Sequence, residues 1–375
     1  MHFLWLMNNI HNFAERLSSM RIADRSRQFR GALHGESCSD TVDSPLAPQA
    51  VSWCSRVTEV QEGFYMLSFR CLAGLLAGVL AISTSDPAES AETVRIAEGA
   101  DKDTLLITVD DQPFMTFNYS AALPKPFFLP VTTAQQVVVN RALEDKSDTD
   151  HPHHKGLWNA IDEVNGVKFW AEKGVIRTTQ VQITSASGKS ASFRATNEWL
   201  SAETGKAEVI EEVQITVYPS RLLVYDMTFH AAHGPVTFED TKEGLFGFRV
   251  APSMKEKNGG RVTASDGSTT TMKCWGRSFP WVDYSGEVGG KTAGVTIMDH
   301  PGNFRPSRYH VRDYGLFSVS PFGEKAYTNG ASPAAPVHLE KEKSLRLRYG
   351  LYVHDGDADA AGIPAVFQTF VQASD

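Results

Sequence analysis

From Val94 onward, apolar and polar residues alternate with a period of two. Successive side chains of a strand point to opposite faces, so this pattern predicts half-buried strands rather than helices. Thr104–Val109 reads as a strand ended by the turn Asp110-Asp111-Gln112-Pro113, and Gln136–Asn140 as another. Gln180–Thr184 runs into Ser187-Gly188-Lys189 and returns as Ser192–Trp199. Glu211–Tyr218 and Leu222–Phe229 form a hairpin across Pro219-Ser220-Arg221. Gly294–Met298 and Leu345–Val353 continue the series. Turn residues recur between them at the spacing of antiparallel sandwiches. No amphipathic helix longer than two turns is expected after Met66, and no repeat or linker interrupts the run. Asp355-Gly356-Asp357-Ala358-Asp359 lacks the spacing of a calcium loop and reads as a solvated turn. The pattern predicts one all-β domain over 92–375. It is a large antiparallel β-sandwich, supersandwich-like in size, with a concave face open to a ligand.

The pattern before Val94 is different. Met66-Leu67-Ser68-Phe69-Arg70 leads into the apolar run Cys71–Ile82, and small residues follow to Ala91. A charged start, a short apolar core and a small-residue exit are the marks of a secretory signal, and the run is short for a membrane span. Residues 66–91 are therefore expected to be a signal-like helix. Residues 1–65 are expected to be an unstructured leader or an over-extended start. The alternative is a membrane anchor behind that leader. The signal reading implies a periplasmic or extracellular domain with no stable membrane insertion once the signal is removed. Cys38, Cys54 and Cys71 precede the exit, and Cys274 alone follows it, so the domain has no internal disulfide to rely on.

Charge and motifs remove several classes. Asp and Glu outnumber Lys and Arg by 44 to 36, and no long basic run occurs, so nucleic acid is not an expected partner. G-x-S-x-G, the P-loop, C-x-x-C and G-x-G-x-x-G in a βαβ setting are all absent. This argues against serine hydrolases, kinases and nicotinamide enzymes.

Candidate chemistry concentrates in Asp150-His151-Pro152-His153-His154-Lys155-Gly156-Leu157-Trp158. Histidine suits proton transfer near neutral pH and metal ligation, and Trp158 offers a flat face for a sugar ring. On an extended segment His151 and His153 would share a face and His154 would oppose them. A second group, Glu243 to Arg249, spans an apolar strand and would place a carboxylate and a guanidinium on one face as a pair. A third, Asp299-His300-Pro301, echoes Asp150-His151-Pro152. A fourth is Tyr309-His310-Val311-Arg312-Asp313-Tyr314-Gly315, with His310 and Arg312 on one face. Trp275, Trp281, Asp283 and Tyr284 add stacking and hydrogen-bonding groups.

These blocks, with Val164–Trp170, Lys242–Ala251, Asp283–Gly286 and His310–Phe317, resemble the PmoA-like family, also called DUF6807, over about residues 104 to 354. The family's label of methane oxygenase implies a subunit that crosses the bilayer several times. This chain has no apolar run of that length after the signal-like segment, so oxygenase activity is not expected. The resemblance implies secreted or periplasmic proteins of sugar-degrading bacteria. In size the expected sandwich is also similar to the galactose-mutarotase-like supersandwich of epimerases, lyases and some hydrolases.

Three functions follow in order. The first is a carbohydrate-active enzyme of epimerase, lyase or hydrolase type. His151, His153, Glu243, His300 and His310 would be its acids and bases, with His153 foremost. Trp158, Arg249, Asp283, Arg312 and Asp313 would hold its substrate. The second is a non-catalytic carbohydrate-binding sandwich. The third is a metalloprotein ligated by His151, His153 and another histidine; otherwise no cofactor is expected. His151, His153, Glu243, His300, His310 and Arg312 are expected to converge in one concave pocket.

Overall fold

The computed structural model describes residues 92–373, apart from 147. The expected signal-like segment and leader lie outside the described residues. The described chain is built from two large antiparallel sheets and a two-stranded ribbon, Val236–Phe238 with Val337–Leu339.

The nine-stranded sheet runs Arg308–Val311, Leu316–Ser320, Phe246–Arg249, Leu157–Asn159, Phe127–Val131, Gln112–Asn118, Thr104–Val109, Val94–Glu98, Ser187–Gly188. The eight-stranded sheet runs Arg261–Ala264, Trp281–Val288, Lys291–Asp299, Ser344–Asp355, Leu222–His230, Ala207–Val217, Ala191–Ser201, Gly174–Ser185. The sandwich, the hairpin of Ala207–Val217 with Leu222–His230, and most expected strands are therefore present. Gln136–Asn140 is not a full strand. It makes only the isolated bridges Thr132 to Val138 and Asn140 to Val250, because Gln136 takes a positive φ in the turn that Thr133 closes.

Alternation along each strand sets the core. Phe246, Phe248, Tyr309, Phe317 and Val319 turn toward the eight-stranded sheet, where Tyr225, Ile297, Tyr349 and Leu351 meet them. Two hydrogen bonds lock the sheets at that level. Tyr309 Oη donates to the Ile297 carbonyl at 2.9 Å. Asn159 Nδ2 donates to Glu211 Oε1 at 2.6 Å. Glu211 is buried in the core and also accepts from Asn197, Trp199 and Tyr225. Four donors satisfy this carboxyl, yet burial still raises its pKa.

One helix corrects the sequence reading. Ile363–Gln372 is a ten-residue helix, longer than two turns. Ile363, Val366, Phe367, Phe370 and Val371 follow the i, i+3, i+4, i+7, i+8 rule and cover Leu222, Val224 and Met298 on the outer face of the eight-stranded sheet. Trp281 and Tyr352, both half-buried, pack against this cluster, away from the histidine loop on the other sheet.

Phe370 is fully buried, and truncating such a ring costs about 3–5 kcal/mol. We expect Phe370→Ala to lose at least about 3 kcal/mol in urea unfolding. A loss below 1 kcal/mol would show that the helix is not part of the cooperative fold.

Candidate active site on the outer face of the nine-stranded sheet

Register brings distant residues together. His310 stands opposite Ser318, Ser318 opposite Gly247, and Gly247 opposite Trp158. Residues in such a lateral row share a face. Their neighbours in each strand face the core, so this row faces away from it. Gly247 is required there, since a Cβ would meet both the Trp158 and Trp170 indoles at 2.9 Å.

The histidine loop lies on this row. It is a turn and not an extended segment: His154 N donates to the His151 carbonyl at 2.9 Å, and His151 has a φ of 46°. All three rings therefore gather, contrary to the alternation expected of a strand. The His154 ring stacks on Trp158 at 5.2 Å and on His151 at 4.9 Å, and His151 stacks in turn on Tyr314 at 5.1 Å. His153 meets His151 and His154 edge-on. Trp158 is buried at the bottom of this column, so it supports His154 and cannot serve as a sugar platform.

Charge holds the loop in place. Arg141 donates to the carbonyls of Asp148, Asp150, His151 and His154. Arg249, fully buried, donates to Asp150 Oδ1 and lies 3.3 Å from Asp148 Oδ1. Lys255 reaches Asp148 Oδ2 at 2.6 Å. Arg249 therefore binds the loop rather than substrate, and it does not pair with Glu243. Glu243 precedes the strand Phe246–Arg249, so strand spacing does not apply to it. On the other side, buried Lys125 donates to the His153 carbonyl at 2.8 Å and to Glu172 at 2.6 Å, where Lys155 also binds. Burial pulls Lys125 down to about 8 against the raising effect of Glu172.

Burial and nearby cations keep His153, His154 and His310 neutral. Arg249 Nη1 lies 3.3 Å from His154 Nδ1. A guanidinium only donates, so Nδ1 accepts and the proton sits on Nε2. Burial holds His154 far below its usual pKa, with His153 and Arg249 adding to the effect. His153 is lowered to about 4 by burial and Lys125. His310 is lowered to about 3 by burial and then Arg312. Its Nδ1 lies 3.0 Å from the Lys242 carbonyl, which can only accept, so Nδ1 carries the proton and Nε2 keeps its lone pair. Glu243 Oε2 lies 3.8 Å from the same Nδ1. Burial raises Glu243, with Asp162 adding and Lys242 and Arg312 opposing.

A cleft of about 290 Å³ is lined by Thr271, Met272, Trp275, Val311, Arg312 and Asp313, and it reaches the pair through Trp275 and Arg312 rather than being lined by His310 or Glu243. Trp275 meets the His310 ring edge-on at 6.3 Å. The Arg312 guanidinium lies 5.9 Å from the centre of the Tyr314 ring. His154 Nε2, Trp158 Nε1, Trp170 Nε1, Trp275 Nε1 and Ser318 Oγ, all on or beside the row, are buried without a partner among the described residues. Buried polar atoms without partners are uncommon and mark sites completed by water or ligand.

Of the six residues expected in one pocket, His151, His153, Glu243, His310 and Arg312 lie near one another on this side of the sheet, linked through Tyr314 and the His310–Glu243 contact, and of these Arg312 lines the cleft. The sixth, His300, lies apart from them. It sits in a separate apolar cleft with Phe279, Pro280, Asp299 and Phe367, edge-on to Phe370. Its Asp-His-Pro echo of residues 150–152 reflects a similar loop on the other sheet. Asp283 is also elsewhere: it is buried, bonded to Thr296 at 2.8 Å and to His354 at 2.8 Å. Asp313 lies at the cleft wall beside Arg312. Among the described residues no three His, Cys, Asp or Glu side chains gather to hold a metal, and no helix is long and apolar enough to cross a membrane. A larger cleft, about 600 Å³, lies on the outer face of the eight-stranded sheet between Gln180, Arg194, Glu212 and Arg346, without histidine or aromatic residues. Sequence reasoning missed Arg141, Asp148, Glu172 and Lys125, because nothing in their local pattern shows which loop they hold.

The fold and this cleft define a large antiparallel sandwich with a histidine- and arginine-rich site on one outer face. The chain belongs to DUF6807, a family of unknown function, whose model matches residues 104–368. None of the curated proteins matches it. Similar solved structures include galactose 1-epimerase from Lactobacillus acidophilus, at 7% identity and a TM-score of 0.35 over 70% of this chain and 98% of that one. An alpha-galactosidase from Geobacillus stearothermophilus matches at 9% and 0.40, over 71% of this chain and 41% of that one. An aldose epimerase homologue from C. elegans matches at 7% and 0.31, over 70% and 100%. Likeness at this level says nothing of activity.

The charge knot under the loop makes a direct prediction. Removing one partner of a buried ion pair costs about 3–5 kcal/mol, because the other charge is left unpaired. Arg249→Met is expected to destabilise by that amount in chemical denaturation. Asp150→Asn, at a side chain 40% exposed, should cost clearly less. Equal effects of the two would contradict the assignment of Arg249 as the anchor.

Proposed function

We propose that this protein is a secreted or periplasmic carbohydrate-active enzyme that works by acid–base chemistry, with His310 as base and Glu243 as acid. The observation that carries the reading is the His310–Glu243 pair. His310 is pinned through Nδ1 to the Lys242 carbonyl, is neutral, and presents the Nε2 lone pair. Glu243 stands 3.8 Å from Nδ1 of the same ring with its pKa raised, the direction that suits a proton donor. Two adjacent groups whose pKa values are pushed apart in this sense form an acid and a base. A module that only holds a glycan has no need of such a pair.

The cleft beside the pair suits a hydroxyl-rich ligand. Trp275 supplies an indole wall, and Arg312 and Asp313 supply charged hydrogen-bonding groups. Of the histidines expected to lead the chemistry, His151 packs on Tyr314 and His153 packs on His151. His151 Nδ1 does lie 3.5 Å from Asp150 Oδ2, but Arg249 and Arg141 hold that carboxylate and lower its pKa against the raising effect of burial, so it is no proton donor. The signal-like residues 66–91 support export.

The test is turnover of a panel of plant and algal oligosaccharides. His310→Gln and Glu243→Gln should each lower kcat by about 10²–10⁴-fold with little change in thermal midpoint. The pH profile follows from the shifts. His310 is unprotonated above about 3, so it sets no limb near its usual 6.5. Glu243 must be protonated to act, and its pKa is raised, so kcat/KM should fall as pH rises through that raised value. Rates that drop on acidification from pH 7 to 6 would rule out this assignment.

A further inference from the structure

We propose, resting on the reading above, that the site acts on sugar units bearing a carboxylate, with Arg312 receiving that carboxylate beside the His310–Glu243 pair. Arg312 is exposed, and among the described residues it makes no ion pair and no side-chain hydrogen bond; its guanidinium lies 5.9 Å from the centre of the Tyr314 ring. The buried or half-buried cations around the site, by contrast, are committed. Arg141 and Arg249 hold Asp148 and Asp150, Lys255 holds Asp148, and Lys125 and Lys155 hold Glu172. Lys242 lies 3.8 Å from Glu243. Arg312 is thus the uncommitted guanidinium of the cleft, close enough to weigh electrostatically on both His310 and Glu243. Asp313, the other charge on that wall, bears on Tyr284 instead. A guanidinium fork matches a carboxylate through two parallel hydrogen bonds.

The base then has a specific use. A carboxylate neutralised by Arg312 acidifies the hydrogen on the adjacent carbon. His310 Nε2 takes that proton. The released electron pair forms a carbon–carbon double bond to the next ring carbon as its bond to the linking oxygen breaks. The departing oxygen takes the Glu243 proton, and the His310 proton later returns to Glu243 through solvent. No water, oxidant or reductant is consumed. A sulfate or phosphate ester would meet Arg312 equally well but would not acidify a C–H bond, so a base at His310 favours the carboxylate.

The experiment incubates the full chain with uronate-containing polysaccharides, their carboxyl-reduced counterparts and a sulfated neutral glycan. The ultraviolet absorbance of an unsaturated sugar acid is followed. Absorbing product from the acidic polymers alone is expected. Arg312→Gln should raise KM at least tenfold, Arg312→Lys should recover part of it, and both should melt as the parent does. His310→Gln should remove the absorbing product. Equal turnover of carboxyl-reduced glycans, or of the sulfated neutral one, overturns the carboxylate inference and leaves the acid–base reading standing. Hydrolysis of acidic polymers without absorbing product overturns the elimination step. No turnover of any member of the panel overturns both readings.

Discussion

A single buried cation organises the outer face of the nine-stranded sheet. Arg249 ends a strand on a face that the fold covers, so its guanidinium is cut off from water. An uncompensated charge there would cost several kcal/mol. The chain answers with Asp148 and Asp150, carried on a loop otherwise free to leave the sheet, and with the His154 ring nitrogen. Arg141 ties the carbonyls of the same loop. The result is a loop whose position is set by charge neutralisation rather than by backbone ladder bonds. Gly247 makes the arrangement possible sterically, since two indoles fill the space a side chain would take.

The neutrality of the histidines follows from the same knot. Cations already crowd the loop, and burial removes water, so a proton on His153, His154 or His310 has little to stabilise it. The acids nearby are mostly spent on Arg249, Lys255 and Lys125. Glu243 is the exception: it stands apart from that knot and is raised by burial. Acid and base thus separate by environment, one carboxyl pushed up and one imidazole pushed down, on elements far apart in sequence.

Much of this was legible in the sequence, and the failures are instructive. Period-two alternation identified the sandwich because half-buried strands must alternate. It does not reveal Ile363–Gln372, whose apolar positions follow a helical and not a strand period over a single short segment. The clustering of His151, His153, Glu243, His310 and Arg312 was recoverable because chemistry-bearing residues were dense in those blocks. Trp158 and Arg249 were visible as special residues but misassigned. Composition cannot tell a ring that faces a ligand from one that supports a neighbour, and burial decides that. His300 and Asp283 failed for a topological reason. Both belong to the eight-stranded sheet, His300 at the end of one of its strands and Asp283 within another, while the histidine loop belongs to the nine-stranded sheet. A repeated tripeptide carries no information about which sheet it follows.

The central claim is that His310 is a neutral base held in one tautomer beside Glu243. Nitrogen-15 NMR of the imidazole, followed from pH 8 to pH 4, reads this directly. The account predicts a neutral ring protonated on Nδ1, with Nε2 unprotonated and no titration through 6.5. A His310 that gains a proton near 6.5, or one that carries its neutral proton on Nε2, would contradict it.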